Sequence, residues 1–242
     1  MRRALLLPLP LLWACASASG PAQGPASGPA DGPHAHGDHG HGDHGRHMEH
    51  AFDDPEAWAK RFDDPARDAW QKPEEVVALM ALSPGQTAAD IGAGTGYFLP
   101  HLSRAVGPEG KVLGLDIEPK LVEYMNARAA KEGLANVEAK QVATDDPGFS
   151  PASVDRVLIV DTWHHIDRRG EYAQKIRAGL RPGGALFVVD FTLDSPHGPP
   201  AEFRLSAESV RDTLLAAGFE AEVLEETLPN QYVVRGRRPL ED

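Results

Sequence analysis

The chain has 242 residues and 41% hydrophobic content, which allows one ordinary α/β domain with appendages. Lys plus Arg number 24 against 36 Asp plus Glu, and the formal charge of −12 argues against a nucleic-acid partner, whose phosphates it repels. The one cysteine, Cys15, excludes an intrachain disulfide.

Residues 1–15 read as an export leader. Met1-Arg2-Arg3 is positively charged, and Ala4 to Ala14 is apolar but too short to span a membrane stably as a helix. Leu12-Trp13-Ala14-Cys15 resembles a bacterial lipoprotein cleavage box, with Trp13 where a small or aliphatic residue is usual. In that reading Cys15 is lipidated and attaches the chain to a membrane; a plain secretion signal and an uncleaved apolar N-terminus are the alternatives. A periplasmic or membrane-anchored location follows if the leader works, a cytoplasmic one if it does not.

Residues 16–50 lack the apolar content to fold and are expected to form a disordered linker. Seven of the eleven histidines fall at 34–50, interleaved with Asp38, Asp43 and Glu49. His36, His39, His41 and His44 are the candidate ligands for a divalent transition metal; the alternative is a polar, pH-sensitive tether. Residues 51–83 read as N-terminal helices. Asp53-Asp54-Pro55 and Asp63-Asp64-Pro65 mark helix starts, and Val76, Val77, Met80 and Ala81 fall on one side of a helix over 74–82.

Residues 84–242 alternate between strand and helix. Strands are expected at 87–91, 111–116, 137–142, 154–160, 185–191, 220–226 and 232–237. Helices are expected at 96–106, 119–132, 169–180 and 206–217, with Ser206 as an N-cap and Gly133 as a stop. This order predicts an α/β fold: a doubly wound, mostly parallel seven-stranded sheet with an antiparallel last strand and an N-terminal helical lead-in.

The main chemical signal is Asp90-Ile91-Gly92-Ala93-Gly94-Thr95-Gly96, where a strand becomes a helix. Glycines there allow a sharp turn and close approach of a ligand to the backbone. In the dinucleotide pattern G-x-G-x-x-G the third glycine would fall at Tyr97; here it comes one residue early. Asp90 suits a cationic ligand better than a pyrophosphate. Asp116, at the end of the second strand, is placed to accept hydrogen bonds from two ribose hydroxyls.

These elements resemble the class I S-adenosylmethionine (SAM)-dependent methyltransferases. The resemblance implies that Asp90, Gly92, Gly94 and Gly96 wrap the methionine moiety of SAM and Asp116 holds its ribose. It also implies that Ile117 packs on the adenine and that Thr144 and Asp145 lie near the adenine amine, although Ala143-Thr144-Asp145 departs from the usual Gly-Asp. Tyr97 is near the cofactor by position. Ser153-Val154-Asp155 and Leu180-Arg181-Pro182-Gly183-Gly184 match further turns of the family, so the likeness runs over about residues 72–237.

Asp161-Thr162-Trp163-His164-His165 ends the fourth strand, on the edge where open parallel sheets bind ligands. Asp161 is a candidate to bind the SAM ammonium or orient the acceptor, and His164 a candidate general base. Trp163 is a candidate aromatic wall, and His197 a loop residue within reach of substrate. The alternative for His164 and His165 is packing beneath the next helix.

The implied activity is methyl transfer to a small-molecule acceptor, with residues 52–82 as a lid. Arsenite methylation, which relies on several cysteines, is not expected. One rival reading is an exported, His-rich metal-binding lipoprotein whose methyltransferase-like domain is not catalytic. An NAD(P)-dependent oxidoreductase is the second, and the early third glycine argues against it. SAM is a cytoplasmic metabolite, so a working leader would part the protein from its methyl donor.

Overall fold

The computed structural model describes residues 54–240; Cys15 and the His-rich tract, with its candidate metal ligands, lie outside the described residues. The lead-in begins with two aspartate caps. Asp54 accepts the Ala57 N–H at 3.0 Å to start α1 (Pro55–Phe62), and Asp64 accepts the Ala66 N–H at 2.9 Å to start a 3-10 turn (Pro65–Arg67). Each cap precedes a proline, which has no N–H to leave unpaired in a first turn. α2 (Asp68–Gln71) and α3 (Pro73–Leu79) follow. α3 buries Val76 and Val77, with Met80 just beyond. Ala81, expected on the same side, is exposed and left-handed at φ 47°, because the helix has already stopped.

The sheet contains β1 (Thr87–Ile91), β2 (Lys111–Asp116), β3 (Val137–Gln141), β4 (Val154–Val160), β5 (Leu180–Phe191), β6 (Glu220–Val223) and β7 (Gln231–Arg237), in the order β3-β2-β1-β4-β5-β7-β6. The pairings among β1 to β5 are parallel, and β7 is antiparallel to both β5 and β6. The remaining helices are α4 (Leu99–Val106), α5 (Pro119–Glu132), α6 (Arg169–Gly179) and α7 (Ala207–Ala216). This is the doubly wound, mostly parallel architecture expected.

Helices on both faces explain the apolar run Val157–Val160 of β4. Leu158 and Val160 enter a core with Met80, Leu102, Met125 and Phe187. Val157 and Ile159 point the other way, into a core with Ile176, Leu186 and Leu214.

Two boundaries differ from expectation for a physical reason. α4 begins at Leu99 rather than Gly96, because Gly96 is itself left-handed at φ 84° and the preceding residues form a turn. β5 starts at Leu180, five residues early, and takes up the extra length as a register shift opposite Val154 and Arg156. The chain steps outward from β1 to β2 and β3, then returns to β4 on the other side of β1. Crossovers that part above β1 and β4 open a crevice at their carboxyl ends.

Candidate active site

The crevice is floored by the turn after β1. Gly92, Gly94 and Gly96 have φ of 70°, 59° and 84°, where a side chain is strained. At Gly92 space is lacking as well: a Cβ would lie 2.4–2.9 Å from the side chain of Thr162, just past β4. The N–H groups of Gly92 and Ala93 donate to the Leu115 carbonyl at 2.7 and 3.1 Å, pinning the loop to β2.

Asp116 completes that junction. Its Oδ2 accepts the Gly94 N–H at 2.9 Å and its Oδ1 the Glu118 N–H at 3.0 Å. The Ile117 N–H also bears on this carboxylate, and of its four lone-pair sites at least one is left for a ligand hydroxyl. Burial raises the Asp116 pKa against the pull of these donors. Asp90, also buried, has its carboxyl pushed up to about 8 by desolvation, with Arg67 lowering it and Asp116 raising it. A carboxyl poised near neutrality in a crevice gains most from a cationic ligand, which supplies the stabilisation that water does not.

The lead-in forms the facing wall. Arg67 donates through Nε and Nη2 to Gln71 Oε1, at 3.2 and 2.9 Å, and through Nη1 to the Phe62 carbonyl at 2.9 Å. Its guanidinium carbon lies 4.2 Å from the Tyr97 ring centroid, and its Nη2 is 3.7 Å from Asp161 Oδ2. Gln71 is fully buried and donates to Gln231 at 2.7 Å; Gln231 in turn donates to Asp161 Oδ1 at 2.6 Å. Asp161 follows β4 at φ 52°, a left-handed conformation rarely adopted away from glycine. Burial pushes its carboxyl up to about 7, with Arg67 lowering it and Asp190 raising it. Thr95 donates to Asp63 at 3.0 Å, the Tyr97 hydroxyl donates to Asp68, and Phe62 covers Gly94. The lead-in thus lies directly on the glycine loop.

On the β5 side, both carboxylate oxygens of buried Asp190 lie 3.0 Å from His164 Nδ1. An Nδ1–H donating to that carboxylate leaves the lone pair of a neutral imidazole on Nε2, the form a general base requires. Trp163 is no wall of the crevice. It is fully buried in the core beneath β4 and its Nε1 has no hydrogen-bond partner among the described residues, because the 3-10 turn Trp163–His165 rotates it under the sheet edge.

His197 stacks on Trp70 of the lead-in, with centroids 5.7 Å apart. Ile117 is 46% exposed, an apolar surface beside Asp116. Thr144 and Asp145 are exposed in the turn after β3, and the Asp145 carboxylate faces Arg168 and Lys175 at 3.7 and 3.6 Å. Among the described residues, no group of three or more His, Cys, Asp or Glu side chains is placed to hold a metal ion.

Arg67, Gln71, Asp190 and Gln231 were not singled out in the sequence. Asp190 is the next-to-last residue of β5, near a strand end on the same sheet edge as Asp161. Arg67 and Gln71 follow a recognised helix start, but nothing local aims them at the crevice. Gln231 carries no signal at all.

Comparison with known proteins places the chain. Residues 82–226, more than half of it, match the family model described as a methyltransferase domain. The crystal structure of a SAM-dependent methyltransferase from Aquifex aeolicus superposes with a TM-score of 0.71 at 29% identity, covering 76% of this chain and 98% of that one. A ubiquinone/menaquinone biosynthesis C-methyltransferase of Pseudomonas entomophila is 29% identical over 117 residues, 48% of this chain and 46% of that protein. An arsenite methyltransferase of Halobacterium salinarum is 25% identical over 140 residues, 58% of this chain and 35% of that protein. The chain therefore spans less than half the length of these two curated relatives. A strand order, a glycine turn and a matched span that all agree make this chain a member of the methyltransferase-domain family, with the fold of its class I, SAM-dependent branch.

Proposed function

We propose that this protein transfers a methyl group from SAM to a small-molecule acceptor. The observation that carries the reading is the pair of buried carboxyls, Asp90 and Asp116, on either side of a turn built from three left-handed glycines. The residues fit the cofactor. The left-handed glycine turn brings backbone to the crevice floor for the methionine chain, and Asp90 and Asp161 offer carboxyls to its ammonium. Asp116 keeps at least one lone pair for a ribose hydroxyl, Ile117 presents an apolar face to the adenine, and Thr144 and Asp145 stand near its amine. SAM, when bound, supplies a methyl group already activated by its sulfonium. The protein's own part is alignment and exclusion of water, for which the lead-in provides a cover. His164, oriented by Asp190, accepts the proton of an acceptor hydroxyl, amine or thiol through Nε2.

Titration of the full chain with SAM and with NAD(H) tests this. Micromolar binding of SAM with none of NAD(H) is expected; no SAM binding by the folded protein refutes the reading.

Binding should also release protons. At pH 7 Asp90, raised to about 8, retains its proton, and a bound ammonium favours the ionised form. The bound state therefore holds fewer protons than the free state, and affinity rises with pH toward 8. The same shift makes the fold lose stability as pH climbs from about 4, where an unfolded Asp ionises, to about 8. Calorimetry at pH 7 in buffers of different ionisation enthalpy should give a release of up to about one proton per SAM. Enthalpies independent of buffer would exclude Asp90 as the partner of the ammonium.

A further inference from the structure

We propose that Arg67 is a cofactor ligand, the anion-binding half of a zwitterion subsite whose cation-binding half is Asp90 and Asp161. The proposal rests on the SAM reading and moves part of the lead-in from covering the acceptor to holding the donor. The Arg67 guanidinium lies 3.7 Å from Asp161, and its charge lowers the carboxyl of buried Asp90. A methionine moiety carries an ammonium and a carboxylate on one carbon. A site for it needs both charges, side by side and shielded from water.

The guanidinium is held but not used up. Its hydrogen bonds among the described residues occupy Nε and one N–H each of Nη1 and Nη2, going to Gln71 Oε1 and the Phe62 carbonyl. Its approach to Asp161 is too long for a hydrogen bond. The two remaining N–H groups, one on each terminal nitrogen, match the fork that a carboxylate accepts. Tyr97 supports the flat face of the group at 4.2 Å. The buried relay from Gln71 through Gln231 to Asp161 fixes the fork relative to the acid. That is the apparatus of a preorganised ligand; an incidental surface pair would have no such second layer of support.

Decarboxylated SAM keeps the ammonium, sulfonium, ribose and adenine and lacks only the carboxylate. The wild-type chain should bind SAM about 10- to 100-fold more tightly than decarboxylated SAM. Arg67→Met, which keeps an unbranched apolar stem and removes the guanidinium, should lose that same factor for SAM, keep its affinity for decarboxylated SAM and so show no preference. Equal wild-type affinities for the two compounds would overturn the proposal, whether or not the variant folds. So would an Arg67→Met protein, shown folded by its thermal melt, that binds SAM as tightly as wild type or more tightly; the latter would make Arg67 a latch that SAM displaces. A wild-type chain that binds neither compound fails at the earlier step, the SAM reading itself.

Discussion

Gly92→Ala should abolish SAM binding and destabilise the fold by about 2–5 kcal/mol. Two costs combine. At φ 70° the new Cβ forces a left-handed residue, about 1–2 kcal/mol. It also enters the space of Thr162, where three side-chain atoms lie within 2.9 Å of its position, and such overpacking costs about 1–3 kcal/mol. Relief by movement is limited, because the Gly92 N–H is tied to Leu115 and Thr162 is tied through its hydroxyl to the Val160 carbonyl at 3.0 Å. The two costs separate in a double variant. Thr162→Gly removes the collision and leaves the dihedral strain, so it should restore part of the lost stability in urea unfolding. An unfolding midpoint unchanged by Gly92→Ala would show that the loop relaxes freely, and the account of the turn would be wrong.

Asp116→Ala should weaken SAM binding at least about a hundredfold and cost about 1–3 kcal/mol of stability. The two effects have different origins. Stability falls because the Gly94 and Glu118 N–H groups lose their acceptors in a place with little access to water. Affinity falls because the ribose hydroxyls lose a charged acceptor, at about 1.5–3 kcal/mol per bond. Asp116→Asn tells them apart. Its amide can still accept one backbone N–H, so it should keep more of the stability than of the affinity. Calorimetry on both variants, beside their thermal melts, checks the order. If Asp116→Ala binds SAM like wild type, the acid serves only to build the turn.

Features that repeat along the chain could be read from the sequence. β1, β2 and β4 run over the spans their apolar patterns predict, and α5 lies between the proline and glycine expected to bound it. A strand buried on both faces and a helix with terminal signals depend on residues within one window. Trp163 shows where this fails: its place at a strand end suggested a crevice wall, but the turn that follows sends it into the core. The opposite wall was hidden for another reason. Arg67 reaches Asp161 across 94 positions, and Gln71 meets Gln231 across 160. No spacing rule encodes a pairing that exists only because β7 lies beside β5.

That last pairing bears on how the molecule comes into being. Synthesis delivers the lead-in first, yet the Gln71 amide, whose oxygen accepts from Arg67, finds the acceptor for its Nε2–H only once residue 231 has been made. β7 also lies between β5 and β6, and among the described residues β6 hydrogen-bonds to the sheet through it alone. A growing chain that stops short of the final hairpin therefore leaves the β5 edge bare, with Gln71 unable to close its relay. Closing so distant a contact is slow, since the entropy of the long loop must be overcome before the contact repays it. The relay that holds Asp161 is thus complete only when the last strand is in place.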